Sequence, residues 1–301
     1  MQKKRILITG SNGLLGQKLT DLYRSLENAD VLLTGIGENR YPDNSVFSYT
    51  QMDITNHDET AKILRQFSPD TIINTAAMTN VDACETAREL CMEINVHAVE
   101  NLAKLASEMH SHFIHLSTDF IFPGTKAMYK EEDIAEPLSY YGKSKWEGEK
   151  KVMEFAEKWS ILRTAIVFGV ANNLSRGNTI QWAYDTLKAG KAANVVDDQF
   201  RTPTLAEDLA MGCRLVESKE VAGIFNICGM DFMSILEMVE RIGKYFDFPL
   251  DKISIVSSES LNQPAKRPPI TGLDISKARK ILGYEPHSFE ESLAIFASQL
   301  N

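Results

Sequence analysis

Two side chains near the start of a predicted helix could together carry out acid–base chemistry. Tyr141 and Lys145 lie four residues apart within residues 139–158, so they share one face of that helix. A phenol ordinarily has a pKa of about 10, and a neighbouring ammonium group favours the phenolate and lowers that pKa. A tyrosine in this setting can act as a general acid or base near neutral pH.

The spacing alone does not single out this pair, because Tyr184 and Lys188 repeat it. The surroundings distinguish the two. Thr118 precedes Tyr141 and directly follows a predicted strand, and side chains at the carboxyl end of a parallel strand face the ligand crevice. We therefore predict Thr118, Tyr141 and Lys145 as the catalytic group, with the Thr118 hydroxyl bonded to a substrate carbonyl. Tyr184 and Lys188 are predicted to have a structural role on an amphipathic helix.

A glycine-rich turn predicts a phosphate site. Residues 9–16 read Thr-Gly-Ser-Asn-Gly-Leu-Leu-Gly; they follow the first predicted strand and open the first predicted helix. Glycine allows a tight turn and a close approach of backbone N–H groups to a pyrophosphate, and the helix N-terminus adds positive potential. The alternative is a glycine-rich connection without a ligand. The predicted cofactor contacts in this turn are Gly10, Asn12, Gly13, Leu14, Leu15 and Gly16.

The loop after the second predicted strand bears on the choice of cofactor. NAD-preferring proteins usually have an acid there that binds the ribose hydroxyls, but residues 34–37 read Thr-Gly-Ile-Gly, and Arg40 follows. Without that acid a 2′-phosphate meets no repulsion, and Arg40 could pair with it unless it is a solvated loop charge. The pattern favours NADPH and leaves NADH as the alternative. Asp53, followed by Ile54, is expected to reach the adenine; helix capping is the alternative role for Asp53.

Strand-like and helix-like segments alternate through the first half of the chain. One long helix is expected over residues 87–109, and strand-like runs occur at residues 5–9, 31–33, 46–52, 71–74, 113–116 and 160–163. This alternation predicts an α/β fold, a doubly wound parallel (Rossmann) sheet with helices on both faces. We expect an NAD(P)-binding domain over residues 1–168, to which residues 205–228 return, and a smaller mixed substrate-binding lobe over residues 169–301.

Composition and charge argue against several classes of binding partner. The 301 residues carry 32 basic and 41 acidic side chains, a net charge of -9, which argues against nucleic acid or an anionic membrane surface as a partner. No apolar run approaches a membrane span, and the run after the charged residues 1–5 is too short for a secretory leader. The four cysteines contain no CxxC pair, and the histidines at 110, 112 and 115 lack converging ligands. We expect reduced thiols, a cytoplasmic protein and no metal site.

These motifs, in this order and spacing, resemble the extended short-chain dehydrogenase/reductase family. The residues that carry the resemblance are the turn at 9–16, Asn-Thr-Ala-Ala at 74–77, Ser-Thr at 117–118, and Tyr141 with Lys145. Within that family the chain is most similar to the dTDP-4-dehydrorhamnose reductases. The segments that match this branch are residues 117–124, 129–133, 137–145, 195–200, 203–204 and 206–209.

The resemblance implies a reaction and further site residues. It implies hydride transfer from a nicotinamide to the 4-keto carbon of a nucleotide sugar, with dTDP-4-dehydro-L-rhamnose as the expected substrate. Tyr141 would protonate the alkoxide oxygen, and Lys145 would bind the nicotinamide ribose and lower the pKa of Tyr141. Motif matches imply that Ala76, Ala77 and Asn95 line the cofactor, and that Asp119 touches the sugar. Candidates for the substrate diphosphate are Arg176, Arg201 and Arg267, and a homodimer is a further expectation.

Two departures from the family pattern leave the identity of the sugar substrate undetermined. Ile166 stands where the family often has tryptophan, and Arg201 where it commonly has glycine. Two other functions also remain: a nucleotide-sugar epimerase or dehydratase that regenerates tightly held NAD, and a non-catalytic regulatory subunit like the reductase-like subunit of methionine adenosyltransferase. The missing acid after the second strand argues against the first, and the intact Thr118, Tyr141 and Lys145 set argues against the second.

Overall fold

A computed structural model describes residues 3–26, 29–43, 45–174 and 176–300. Met1 and Gln2 of the charged N-terminal segment lie outside the described residues. The strands are β1 (Lys4–Thr9), β2 (Ala29–Gly35), β3 (Ser48–Gln51), β4 (Thr71–Asn74), β5 (His112–Thr118), β6 (Thr125–Tyr129), β7 (Lys158–Thr164), β8 (Val167–Phe168), β9 (Ala193–Val196), β10 (Phe200–Arg201), β11 (Thr204–Leu205), β12 (Gly223–Asn226), β13 (Met233–Ser234), β14 (Ile253–Val256) and β15 (Ile270–Leu273).

The helices follow the same chain order. They are α1 (Leu14–Leu26), α2 (His57–Phe67), α3 (Val81–Thr86), α4 (Arg88–Met92), α5 (Ala98–Glu108), α6 (Tyr140–Phe155), α7 (Thr179–Lys188), α8 (Ala206–Lys219), α9 (Ile235–Phe246), α10 (Ser276–Leu282) and α11 (Phe289–Ser298). Short 3₁₀ turns cover Asp119–Ile121 and Ser258–Leu261, and a π-helical turn covers Glu93–His97.

The large sheet of the described residues is parallel throughout. Its seven strands run in the order β12-β7-β5-β4-β1-β2-β3. The order reverses between β1 and β4, which is the switch point where open α/β sheets bind ligands. The predicted α/β class with a doubly wound parallel sheet is confirmed.

Alternate side chains of the strands feed two separate cores, one on each face of the sheet. Ile6 and Ile8 of β1 pack in a core with residues of α1, α8 and α10. Leu7 of the same strand packs in the opposite core with residues of α2, α5 and α6. β1, whose apolar residues are continuous in the sequence, is therefore covered on both faces of the sheet, as predicted.

The second half builds a smaller lobe with its own core. Residues of α7, α9 and α11 pack together there, and β13-β10-β15-β6 form a mixed sheet in which only the β10–β13 pair, among the described strands, is antiparallel. Two strands pair outside their own half of the chain, and one of them, β12, lies within residues 205–228, which were expected to return to the first domain. β12 joins the large sheet beside β7, and β6, from the first half, pairs with β15.

The helix expected over residues 87–109 is interrupted. α4 and α5 are joined by the π-helical turn Glu93–His97. The turn brings the Asn95 carbonyl oxygen so close to α6 that a Cβ at Gly148 would lie 2.4 Å from it. A smooth 3.6-residue period in the sequence gives no sign of such a turn or of its approach to α6.

A buried ion pair fastens α6 to the sheet. The Glu149 carboxylate on α6 accepts from Arg163 Nε on β7 at 3.0 and 3.3 Å, from Arg163 Nη2 at 2.7 Å, and from the Ser117 hydroxyl on β5 at 2.5 Å. The Arg163 and Glu149 side chains are 2% and 0% exposed. Such a pair costs desolvation when it forms, but removing one partner leaves a buried charge uncompensated.

Glu149→Gln is expected to lower the free energy of unfolding by about 3–5 kcal/mol, because Arg163 then keeps a buried charge without a counter-charge. Urea denaturation measures the change. Glu108→Gln is the matched control: its partner Arg65 is at 3.0 Å but both side chains are exposed, so its loss should stay below about 1 kcal/mol. Equal losses for the two variants would contradict the assigned role of the buried pair.

Candidate active site

The carboxyl ends of β1, β4 and β5 open into a cleft between the large sheet and the lobe. Its volume is about 1610 Å³, whereas a pocket for one small ligand holds about 300–1,000 Å³. The cleft therefore has room for two ligands side by side. Its lining includes Gly10, Asp53, Ala76, Thr118, Tyr141 and Lys145 on the sheet side, and Arg176, Trp182 and Lys191 on the lobe side.

The glycine-rich turn lies at the floor of this cleft, between β1 and α1. Gly10 has φ +65°, and a Cβ there would lie 2.8 Å from the Ala76 backbone nitrogen. Glycine is therefore required at this position for two reasons, the left-handed conformation and the close approach of β4's extension. At Gly16 a Cβ would lie 2.5 Å from Ser11 Cα, so this glycine permits the tight entry into α1 and lies behind the lining.

Asn12 and Arg40 connect the turn to the loop after β2. The Asn12 amide donates to the carbonyls of Ile36 and Glu38 at 3.1 and 2.9 Å and accepts from the Arg40 backbone N–H at 2.8 Å. The Arg40 guanidinium donates to the Asn173 carbonyl at 3.2 Å and lines the cleft. Arg40 is thus held beside the turn, with its charge at the cleft edge, rather than extended into solvent.

The remaining predicted adenine contacts also line the cleft. Asp53 and Ile54 lie on one wall, and Ala76 and Ala77 on the floor. The Asp53 carboxylate accepts from the Thr55 N–H at 2.9 Å and its hydroxyl at 2.8 Å. The N-cap of α2 is a different residue, Asn56, so the capping alternative does not describe Asp53.

Asn95 lies behind the lining instead of on it. Its side chain is fully buried, and its amide accepts from the Met78 N–H at 2.9 Å and donates to the Met78 carbonyl and the Ser144 hydroxyl, both at 3.0 Å. The expectation that Asn95 contacts the cofactor is corrected accordingly. It braces the segment after β4 against α6, so any influence on a ligand is indirect.

Thr118 and Tyr141 meet where β5 ends and α6 begins. The Thr118 hydroxyl donates to Asp119 Oδ1 at 3.1 Å, and the Thr118 and Tyr141 side chains both line the cleft. α6 can approach this closely because a Cβ at Gly142 would lie 2.2 Å from the Phe120 carbonyl oxygen. Burial raises the pKa of Tyr141 well above its usual value, and the nearby Thr118 hydroxyl opposes that rise only in part.

Lys145 points toward β5. Its ammonium nitrogen Nζ donates to the Leu116 carbonyl at 2.6 Å and lies 3.3 Å from His115 Nε2. Burial lowers the pKa of Lys145 to about 8, against the opposing influence of Glu149 and Cys91. The pKa of Tyr141 is therefore raised in this structure although Lys145 was expected to lower it, because burial dominates at the phenol.

Asp119 and Arg201 form a buried pair that joins the sheet to the lobe. Arg201 Nε lies 3.4 Å from Asp119 Oδ2, and the guanidinium donates to the carbonyls of Phe200, Pro268 and Pro269 at 2.8, 2.6 and 3.0 Å. Asp119 also accepts from the Thr271 hydroxyl. The substrate role expected of Arg201 is corrected, since its guanidinium is 2% exposed and fully engaged. Asp119 itself lines the cleft.

The other two arginine candidates differ from each other. Arg176 lines the cleft, with one bond to the Thr79 carbonyl at 3.4 Å. Arg267 forms an ion pair with Asp82 at 2.8 Å and is not part of the lining.

Ile166, in the place of the family's tryptophan, also lines the cleft and has φ +38°, a rare backbone conformation for a β-branched residue.

Two residues of the site were not predicted from the sequence. Trp182 on α7 is 43% exposed and faces the cleft, and His115 contacts Lys145. Strand alternation could have indicated that His115 and Ser117 share a face, but no sequence signal pairs His115 with Lys145. Tyr184, by contrast, bonds Lys188 at 3.1 Å and packs among the aromatic rings of the lobe core.

Over the described residues, no cluster of three or more His, Cys, Asp or Glu side chains is arranged to hold a metal ion. No described helix combines the length and apolarity needed to cross a membrane.

Comparison with known proteins gives consistent results. The RmlD substrate binding domain family matches residues 4–301. A dTDP-4-dehydrorhamnose reductase of Aggregatibacter actinomycetemcomitans is 31% identical over 96% of this chain and 97% of its own length. Methionine adenosyltransferase 2 subunit beta of Rattus norvegicus is 30% identical over 91% of this chain and 81% of its own length. The crystal structure of dTDP-4-dehydrorhamnose reductase from Bacillus anthracis in complex with NADP is 25% identical, with a TM-score of 0.84 and coverage of 99% of this chain and 100% of that one.

Gly10→Ala should destabilise the protein more than Gly37→Ala. Gly37 has φ +74° but open space around it, so its substitution should cost about 1–2 kcal/mol for the left-handed backbone alone. At Gly10 the contact with Ala76 should add about 1–3 kcal/mol. Urea denaturation of both variants measures the difference, and equal losses would show that the turn has room for a side chain.

Proposed function

The chain belongs to the RmlD substrate-binding domain family, and on that premise we propose that it is an NADPH-dependent reductase of a nucleotide-linked 4-keto sugar. The expected substrate is dTDP-4-dehydro-L-rhamnose and the product dTDP-L-rhamnose. The observation that carries the proposal is the convergence of Thr118, Tyr141 and Lys145 on one two-ligand cleft beside the glycine-rich turn.

The residues of the turn fit a dinucleotide. Gly10 and Gly16 leave no room for side chains, the N-terminus of α1 faces the same cleft, and the buried Ser11 hydroxyl has no hydrogen-bond partner among the described residues. Backbone N–H groups in such a turn hold a pyrophosphate. Arg40 would bind the 2′-phosphate of NADPH, and Asp53, Ile54, Ala76 and Ala77 would contact the adenosine half. NADH remains the alternative cofactor.

The chemistry then follows from three side chains. Bound NADPH supplies the hydride. Thr118 polarises the substrate carbonyl through its hydroxyl, and Tyr141 donates its phenolic proton to the carbonyl oxygen as negative charge develops there. Because burial keeps the Tyr141 phenol protonated at neutral pH, it is suited to give a proton rather than to take one. Lys145, one helical turn away, stabilises the phenolate that remains.

The lobe side of the cleft supplies the substrate contacts in this proposal. Arg176 would meet the diphosphate, with Asp119 at the sugar. We propose that residues 1–168 with 205–228 hold the cofactor and residues 169–301 the sugar nucleotide; the pairing of β12 with β7 supports that return. A homodimer and a cytoplasmic location stay predictions.

A regulatory subunit is a second candidate, favoured by the similarity to methionine adenosyltransferase 2 subunit beta. The two functions differ in turnover. The test is NADPH oxidation by the purified chain against a panel of nucleotide 4-keto sugars, with product analysis. Oxidation with a reduced sugar as product supports the reductase, sugar conversion without net oxidation indicates an epimerase or dehydratase, and binding of NADPH with no conversion of any sugar favours the subunit.

Tyr141→Phe should lower kcat about 100- to 10,000-fold, because the proton donor is lost, while the Kd for NADPH stays unchanged. Tyr184→Phe is the matched control, since Tyr184 also bonds a lysine four residues later but packs in the lobe core. It should keep full turnover. A Tyr141→Phe enzyme with normal kcat would refute the assignment of Tyr141 as the acid.

Arg40→Ala should weaken NADPH binding about 10- to 100-fold, the loss of one charge-assisted contact. NADH lacks the 2′-phosphate, so its Kd serves as the internal control and should not change. Fluorescence titration measures both constants. If both cofactors lose affinity equally, Arg40 contacts a part of the dinucleotide that the two share.

A further inference from the structure

His115 on β5 is a fully buried histidine that lies between Asn74 at the end of β4 and Lys145 on α6. Its Nδ1 lies 3.0 Å from the Asn74 amide nitrogen, and its Nε2 lies 3.3 Å from Lys145 Nζ. Both ring nitrogens are thus engaged with side chains of other elements.

Neighbouring hydrogen bonds fix which ring nitrogen carries the proton. The Thr9 hydroxyl accepts from the Ala76 N–H at 3.3 Å and donates to Asn74 Oδ1 at 2.6 Å. The Asn74 amide is therefore oriented with its NH₂ group toward His115 Nδ1. An amide NH₂ only donates, so Nδ1 accepts and the neutral imidazole carries its proton on Nε2.

The Nε2–H group consequently faces Lys145 Nζ. An ammonium has only donors, whereas a neutral amine has one lone pair that can accept. The amine satisfies both of its contacts if it donates to the Leu116 carbonyl, at 2.6 Å, and accepts from His115. The ammonium form would leave two donors opposed at 3.3 Å.

Other ionisable groups also act on the Lys145 amine. Glu149 and Cys91 both favour the ammonium form, but the Glu149 carboxylate is engaged by Arg163 and Ser117. Tyr141 is protonated. The His115 imidazole is in hydrogen-bonding contact with Lys145 Nζ and disfavours the ammonium form of the amine.

We propose that His115 is a positioning residue for Lys145, the end of a hydrogen-bond chain from Thr9 through Asn74 that holds the amine against β5 and disfavours its ammonium form. The proposal rests on the proposed function, in which the charge on Lys145 supports proton donation by Tyr141. His115 thereby links the strand that opens the glycine-rich turn to the catalytic helix.

Nitrogen NMR of the full chain, labelled with ¹⁵N-histidine, tests the hydrogen-bond chain without any activity measurement. We expect His115 to show a protonated Nε2 and an unprotonated, hydrogen-bonded Nδ1, with a resonance change whose midpoint is about 8 as Lys145 titrates. His112 is the control: it is buried on the same strand but bonds Ser160 at 2.8 Å, so it should show no such midpoint. A proton on Nδ1 of His115, or no response near that pH, would overturn the proposal.

Variants test the consequence for catalysis. Wild-type kcat/KM for reduction should fall as pH rises through about 8, because the Lys145 ammonium is lost. In His115→Leu the neutral amine loses its donor, so this fall should move upward by about 0.5–1 pH unit. kcat at neutral pH should drop about tenfold through misplacement of Lys145, with KM for the sugar unchanged because His115 has no exposed surface.

Two further variants separate positioning from a structural role. His115→Gln can accept from Asn74 and donate to Lys145, so it should restore much of the wild-type pH profile; if His115→Leu does not fold, this variant and the NMR result decide. His112→Leu should change stability but not the profile. A folded His115→Leu enzyme with wild-type kcat and profile would refute the proposal. A wild-type chain that reduces no sugar would instead contradict the proposed function, leaving the NMR outcome independent.

Discussion

The close packing of α6 on β5 is the constraint on which the site depends. Two glycines let α6 approach the neighbouring turns: a side chain at Gly142 would strike the carbonyl of Phe120, in the 3₁₀ turn directly after β5, and one at Gly148 would strike the Asn95 carbonyl of the π-helical turn. Glu149, on the same helix, then clamps it to β5 and β7 through Ser117 and Arg163. Because this approach is fixed by backbone contacts and a buried charge pair, Tyr141 is held within reach of Thr118 without any ligand.

The same burial sets the protonation of the two predicted catalytic groups, Tyr141 and Lys145, in opposite directions. Desolvation penalises the charged form, so it raises the pKa of the Tyr141 phenol and lowers that of the Lys145 amine. For a reductase this is a consistent arrangement, since the tyrosine must hold its proton until an alkoxide forms. The chain of Thr9, Asn74 and His115 adds a directional contact to this general effect at Lys145.

Recognition of anionic ligands by an acidic protein follows from local donors. The net charge is -9, yet the glycine-rich turn, Arg40 and Arg176 bring backbone N–H groups and positive charge to one cleft. Arg201, by contrast, forms an ion pair with Asp119 and donates hydrogen bonds to carbonyls of the lobe. Its charge joins the lobe to the end of β5 and so contributes to the shape of the cleft rather than to its potential.

The sequence alone determined the parallel sheet, the glycine-rich turn, and Thr118, Tyr141 and Lys145 as a group, because strand and helix periods, positive φ and i,i+4 spacing are local properties. It did not determine where charged side chains point. The roles of Arg201, Asn95 and His115 depend on partners distant in the chain, such as Asp119, Met78 and Lys145, and on burial that no local pattern records. Only the tertiary structure decided that one arginine is buried in an ion pair, that the π-helical turn exists, and that the predicted catalytic lysine lies against a histidine, because each involves packing between elements.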